Sequence, residues 1–201
     1  MTAGPAPDRS ADRTLAERAA HGDRHAQREL FLAHRRAVHH VLYRVLGSNR
    51  EIEDVVQDAF VQIFRSIGSY RGESSLSRWC CTIAMRAAYA AMDRRRRSPS
   101  GTDDAAELHH QGPSVAEQLA VRDAAHRLYC ALERMDDKHR VAFALAVIDE
   151  RPLQEVAELT ESSVSAVKTR VFRARRELLR RAAKDPALAD YLGHLAEESA
   201  P

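Results

Sequence analysis

A basic stretch near the end of the chain, Ser163 to Arg181, is rich in the side-chain types that proteins use to bind nucleic acid. Eight lysines and arginines lie between Ser163 and Lys184, against the single acid Glu177. Guanidinium and ammonium groups bind phosphates, and they also read guanine edges in the major groove. The chemistry indicated is non-covalent binding of DNA. The alternative is a solvated helix end, because basic residues also suit the dipole there.

The same stretch predicts an amphipathic helix. Apolar residues recur at spacings of three and four, which indicates one buried face: Val164, Val167, Val171, Ala174 and Leu178. The opposite face is basic and hydroxylic, and it holds one aromatic residue: Ser165, Thr169, Phe172, Arg173 and Arg176. Such a face is typical of a helix that enters the major groove.

The residues just before this helix predict a helix-turn-helix. Pro152–Leu159 reads as a short helix, with proline at a favoured first position. Thr160-Glu161-Ser162 reads as a tight turn, and Ser163 is expected to cap the basic helix. A short helix, a brief turn and a longer basic helix are the parts of this DNA-binding motif.

Composition predicts an all-α protein of two small domains. The chain has 201 residues, of which 5% are aromatic and 30% charged, with a net charge of only +2. This balance favours helices, and the length suits two small cores. Between 98 and 116 large apolar residues nearly vanish, which indicates a flexible polar linker. The predicted divisions are a disordered start (1–13), a first domain (14–97), the linker (98–116), a helix-turn-helix domain (117–184) and a tail (185–201).

The first domain contains a helix, from about Asn49 to Ser66, with two distinct faces. Its predicted core row is Ile52, Val55, Val56, Ala59, Phe60, Ile63 and Ile67. Its outward face is expected to hold Asp54, Gln57, Asp58, Val61 and Arg65. A lone exposed valine is ordinary. Because charged residues flank Val61, it is also a candidate for the centre of a docking surface.

A loop and a second long helix follow in the first domain. The loop spans 68–75, and Ser74 or Ser75 is expected to cap a helix over about 76–97. That helix begins near Arg78 and Trp79 and ends in four consecutive arginines, Arg94 to Arg97. An aromatic residue among arginines suits stacking on single-stranded bases, although four arginines are also a common solvated helix end.

The sequence gives no indication of a metal, cofactor or membrane segment. Cys80, Cys81 and Cys130 form no zinc-type spacing, and we expect reduced, structural thiols. The opening MTAGPAPDRSADR lacks an apolar segment, and no run is long enough to cross a membrane. We therefore expect a cytoplasmic protein that is not inserted in a membrane. No catalytic residues are assigned, because paired carboxylates, a nucleophile elbow and a phosphate-binding glycine loop are all missing.

Two segments in order resemble the bacterial RNA polymerase sigma factors of the extracytoplasmic-function (ECF) class. EIEDVVQDAFVQIFRSIGSYRGESSLSRWCCTIA is similar to the family's core-binding and promoter-melting segment. PLQEVAELTESSVSAVKTRVFRARREL is similar to its promoter helix-turn-helix. The resemblance covers roughly 20–97 and 117–184. It implies a non-enzymatic initiation factor whose partners are core RNA polymerase, promoter DNA and an anti-sigma factor.

The resemblance also implies roles for individual residues. Core polymerase would bind the outward face of 51–66. The minus-ten promoter element would bind Tyr70, Arg71, Gly72, Glu73, Ser74, Ser75, Arg78, Trp79, Arg94, Arg95, Arg96 and Arg97. The minus-thirty-five element would bind Ser165, Lys168, Thr169, Phe172, Arg173 and Arg176. The linker, with Asp103, Asp104 and Glu107, would thread toward the polymerase's RNA exit path.

The sequence departs from the family's pattern at several positions. The family often has asparagine where Arg86 stands, and its turn usually has glycine near Glu161 and an aliphatic residue near Ser162. A Leu-Pro pair is usual where Met135-Asp136 stands. The alternative interpretation is a helix-turn-helix regulator with an N-terminal helical sensing domain. It would leave the features of 51–79 unexplained.

Overall fold

A computed structural model describes residues 9–47, 51–97 and 115–186, together with 188, 189 and 192; from 115 to 122 it describes the backbone only. The helices are α1 (Arg9–Ala20), α2 (Arg24–Leu46), α3 (Ile52–Ser66), α4 (Leu76–Arg97), α5 (Val115–Glu133), α6 (Asp137–Phe143), α7 (Leu153–Leu159) and α8 (Val164–Ala182). These ranges contain no strand, which confirms the all-α prediction. The predictions for 1–8, for the linker over 98–114 and for most of the tail lie outside the described residues.

The first domain is built on α2, α3 and α4, which pack on one another. The predicted α3 core row is buried throughout, with no member more than 9% exposed. Helix α2 ends at Gly47, whose φ of 72° suits glycine and whose N–H bonds the Tyr43 carbonyl. The sequence pattern thus predicted the face that α3 buries, and glycine suits the residue that follows α2.

Helix α1 corrects the prediction of disorder for residues 9–13 of the predicted disordered segment 1–13. It begins at Arg9, five residues before the expected start at Thr14. One reason lies far along the chain: the Leu76 backbone N–H donates to the Asp12 carboxylate at 2.8 Å. Asp12 thereby occupies one of the free N–H groups at the start of α4 and ties the first helix to it.

The second domain contains the helix-turn-helix and differs from prediction in detail. Asp136 caps α6 by accepting from the Lys138 and His139 N–H groups. Helix α6 ends at Phe143, and the chain then continues as a π-helical segment, Ala144–Ile148. Pro152 precedes α7 as its N-cap rather than its first residue. Leu188, assigned to the tail, is 2% exposed and packs in this domain's core.

The two domains lie against each other. Residues of both contribute to one buried cluster, in which Val141 and Leu145 join the core of the first domain. The Tyr129 hydroxyl donates to the Arg44 carbonyl at 3.0 Å. Asp149 Oδ1 lies 2.7 Å from His40 Nε2. The second domain therefore packs on the end of α2.

None of the helices described is long and apolar enough to span a membrane.

Candidate nucleic-acid interface

The turn between α7 and α8 is closed by short local hydrogen bonds. The Ser162 N–H donates to the Ala157 carbonyl at 2.8 Å. Ser163 caps α8 as predicted, because its Oγ accepts from the Ala166 N–H at 3.2 Å. Glu161 has a φ of 49°, in the left-handed region that side chains other than glycine rarely adopt. Glutamate therefore adopts a backbone conformation that suits glycine, at the position where the family usually has glycine.

Helix α8 exposes every residue predicted to contact the minus-thirty-five element. The exposed residues are Ser165, Lys168, Thr169, Phe172, Arg173 and Arg176. The Phe172 side chain is 65% exposed, whereas Val167, Ala174 and Leu178 are buried beneath the helix. An aromatic ring this open contributes little to the core, so packing does not explain its presence.

A groove of about 540 Å³ runs between the start of α6 and the first half of α8. Thr169 and Arg173 line one wall, and Lys138 and His139 line the other. Neither Lys138 nor His139 was among the residues predicted to contact DNA. The sequence signal that could have identified them is Asp136, a residue type that caps helices, followed by Lys138 and His139. This order places the two basic side chains at the start of α6, where they face α8.

The loop before α4 is held in shape by its own hydrogen bonds and by α1. The Tyr70 hydroxyl donates to the Ser74 carbonyl at 2.7 Å, and the ring packs edge-on against Trp79 at 5.8 Å between centroids. Burial, with the Asp12 carboxylate nearby, raises the pKa of Tyr70, so the hydroxyl remains a donor. Ser75 Oγ accepts from the Arg78 N–H at 3.3 Å, which confirms serine capping of α4.

Gly72 lies at the tip of this loop under a side chain of α1. Its φ is 76°, and a Cβ built there would lie 2.9 Å from Cδ of Arg13. A larger residue would meet both backbone strain and this contact. Asp12 and Arg13 therefore position the loop, although no local sequence pattern connects them to residues 70–76.

The arginines of α4 all lie in ion pairs. Within the first domain, Arg94 lies 3.2 Å from Asp58, and Arg97 pairs with Asp93. The other four reach acids of the second domain: Arg78 pairs with Glu158, Arg86 with Glu161, Arg95 with Glu133 and Arg96 with Asp137. The structure thus places these arginines along one helix and pairs each of them with a carboxylate.

The outward face of α3 is exposed as predicted. Asp54, Gln57, Asp58, Val61 and Arg65 are all exposed, at positions that share one side of the helix. Val61 is 41% exposed and lies between the charged residues. This surface is distinct from the outer face of α8, so the chain presents two separate exposed faces.

Metal chemistry gains no support from the described part of the chain. It contains no group of three or more His, Cys, Asp or Glu side chains that could hold a metal ion. Burial raises the pKa of the Cys81 thiol to about 11, and that of Cys80 is raised as well. Both thiols are therefore protonated, and they are poor nucleophiles or ligands at neutral pH.

Comparison with protein families identifies both domains. Residues 30–98 match sigma-70 region 2, and residues 125–178 match sigma-70 region 4. The first match includes α3, the loop and α4, and the second includes α7 and most of α8. A helix-turn-helix regulator with a sensing domain is not favoured, since it does not account for the region 2 match.

Curated relatives match along most of the chain. The ECF RNA polymerase sigma-E factor of Haemophilus influenzae is 28% identical over 82% of this chain and 91% of its own length. The corresponding factor of Escherichia coli is 29% identical over 82% and 90%. The RNA polymerase sigma-H factor of Pseudomonas aeruginosa is 27% identical over the same shares.

Two solved structures share the fold. CnrH, solved in complex with the cytosolic domain of CnrY, has a TM-score of 0.55 at 23% identity, covering 87% of this chain and 99% of its own. The sigma factor RpoE of Bartonella quintana, solved with the anti-sigma factor NepR, has a TM-score of 0.53 at 22% identity, covering 79% and 97%. With both domains matched in order, the chain belongs to the sigma-70 family, as an ECF RNA polymerase sigma factor that directs polymerase to promoters in transcription initiation.

Proposed function

We propose that this sigma factor binds core RNA polymerase through the outward face of α3 and reads a two-part promoter with α8 and the loop preceding α4. The observation that carries this assignment is the exposure of two separate faces on one chain. The α3 face has acids around an exposed valine, and the α8 face has bases around an exposed phenylalanine. Neither pattern is explained by packing within the chain.

Helix α8 reads the minus-thirty-five element. Lys168 and Arg173 bind guanine edges or phosphates, and Phe172 contacts a thymine methyl group. Ser165, Thr169 and Arg176 complete the surface. Lys138 and His139, across the groove from Arg173, support the same strand from the other side.

The loop and α4 bind the melted minus-ten strand. The loop over 70–75 receives a base turned out of the duplex, which costs a few kcal/mol and so favours melting only where the base fits. Trp79 and the α4 arginines hold the neighbouring bases and phosphates. These contacts require no cofactor or catalytic step, and we assign the protein a non-enzymatic role in the cytoplasm.

An anti-sigma factor is the proposed inhibitory partner. The fold is shared with RpoE, which was solved in complex with the anti-sigma factor NepR. The exposed side chains of Val61 and Phe172 would give such a partner apolar contacts on the two binding faces. A partner that covers them would block polymerase and promoter together.

Transcription with purified core polymerase tests the function. The wild-type chain is expected to support promoter-specific run-off transcripts from a promoter library, and the function is refuted if no transcript depends on it. Asp58→Arg tests the α3 face and should weaken polymerase binding by at least about tenfold, because it reverses a central charge. Asp123→Arg is the matched control: it breaks another exposed ion pair, with Arg127, in the other domain. Equal binding by both variants would refute the docking face.

A further inference from the structure

Two of the positions at which the sequence departs from the family's pattern, Arg86 and Glu161, contact each other across the domain interface. Arg86 Nη2 donates to Glu161 Oε1 at 2.7 Å, and Nε lies 3.4 Å from Oε2. This is a two-pronged guanidinium–carboxylate pair, the geometry that suits arginine best. Arg86 belongs to α4, and Glu161 belongs to the helix-turn-helix turn.

A second pair lies beside the first. Arg78 of α4 pairs with Glu158 of α7, three residues before Glu161. On a helix, positions 78, 86 and 96 fall within about 80° of one another, so Arg78, Arg86 and Arg96 share one face. That face is turned toward the second domain, because Arg96 also reaches across, to Asp137.

The Glu161 side chain reaches this position from an unfavourable backbone conformation. A residue other than glycine at φ 49° costs roughly 1 kcal/mol. Glycine would remove that cost, but it would also remove the carboxylate that meets Arg86. The chain thus combines a strained turn residue with an ion pair that only this residue can make.

We propose that the Arg86–Glu161 and Arg78–Glu158 pairs form a clasp that holds the helix-turn-helix domain against α4 and competes with the promoter strand for the same arginines. The clasp rests on the proposed role of α4 in binding the melted strand. Glu158 and Glu161 stand where DNA phosphates would bind, and they hold the turn that presents α8. Breaking the two pairs frees Arg78 and Arg86 for the promoter strand, while the buried cluster keeps the two domains together.

The exposure of the clasp makes it reversible. Arg86 and Glu161 are 55% and 57% exposed, and Arg78 and Glu158 are each 40% exposed. Exposed pairs are weak and are screened by salt. A polyanion such as single-stranded DNA can therefore compete for the arginines, and the apparent affinity for DNA is reduced by the fraction of chains that are closed.

The test is a double-mutant cycle on the full-length chain, read by the anisotropy of a fluorescent, random-sequence single-stranded oligonucleotide. Glu161→Gly should tighten binding by about twofold to fivefold, the value of one exposed pair. Arg86→Asn should also tighten binding, despite losing a positive charge. Glu161→Gly added to Arg86→Asn should then have no effect, because the pair is already broken.

Glu150→Gly is the matched control. Glu150 also has a positive φ, of 51°, and it has no ion pair with any other described residue. The substitution removes the same charge and the same backbone strain, and its oligonucleotide affinity should remain near that of the wild type. Equal tightening by Glu150→Gly and Glu161→Gly, or additive effects in the cycle, would overturn the clasp. If the wild-type chain supports transcription but none of the variants in the cycle changes oligonucleotide affinity, only the clasp is overturned. Failure of the wild-type chain to bind core polymerase would instead refute the proposed function.

Discussion

The Arg140 guanidinium of the second domain donates from Nε to the Val45 carbonyl at 2.9 Å. Its Nη2 donates to the neighbouring Leu46 carbonyl at 3.0 Å, and the residue is 3% exposed. These carbonyls belong to the last turn of α2, which has no helical partners for them. A cation at that end also suits the helix dipole. One buried side chain of the second domain thus completes a helix of the first.

We expect Arg140→Met to destabilise the whole protein. Methionine keeps much of the side-chain volume but leaves two buried carbonyls without donors, at a cost of about 2–4 kcal/mol. Thermal unfolding followed by circular dichroism measures the loss. Arg127→Met, at an exposed ion pair with Asp123, is the control and should change stability by less than about 1 kcal/mol. A transition temperature unchanged by Arg140→Met would mean that the domains do not depend on this contact.

Phe172→Ala should weaken binding to the minus-thirty-five element without affecting the fold. The ring is largely exposed, so its removal costs little packing, while one lost base contact is worth about 1–2 kcal/mol. Leu179→Ala is the matched control, because Leu179 is 62% exposed on the same face two turns later. The start of a recognition helix enters the groove, so Leu179 should be neutral. Holoenzyme binding to duplex promoter DNA measures both, and equal losses would argue against base contact by Phe172.

Trp79→Ala should impair promoter melting and also lower stability. Trp79 is half-buried against the core and packs edge-on with Tyr70, so truncation should cost about 2 kcal/mol. Trp79→Phe keeps most of this packing but offers a smaller stacking surface. We expect it to melt near the wild-type temperature while opening less promoter, as read by permanganate reactivity of unpaired thymines. Wild-type opening with Trp79→Phe would limit the tryptophan to a structural role.

The thiols should react in a fixed order. Burial raises the pKa of Cys81 to about 11 and raises that of Cys80, whereas Cys130 is only partly buried. At pH 8 almost none of the two buried thiols is ionised, and thiolate is the reactive form. Titration with a chromogenic disulfide should show one fast thiol in the native protein and three in denaturant, with Cys130→Ser removing the fast phase. A second fast thiol in the native state would mean that the α4 core opens readily.

Local patterns predicted the elements well. Helical spacing identified the buried row of α3, and serine marked the start of α8. Each of these signals acts within a few residues, so the sequence displays it directly. The same spacing placed the outward residues of α3 and α8 on exposed faces, whereas their roles in binding remain predictions.

Distant contacts could not be predicted in this way. The start of α1 depends on a bond between Asp12 and Leu76, which are 64 residues apart. Arg140 is buried only because two carbonyls of another domain receive it. Arg86 pairs with Glu161 only because the two domains pack against each other. The sequence therefore showed two separate departures from the family's pattern and gave no sign that the two residues are in contact.

The packing of the Arg13 side chain over Gly72 has a practical consequence for the placement of tags and labels. A purification tag or fluorescent protein joined immediately before Arg9 would stand beside the loop that we assign to base capture. Its bulk could displace α1 and reshape the loop while α2, α3 and α4 stay folded. Labels are better placed toward the carboxyl end, beyond Leu192, the last described residue that packs against the second core.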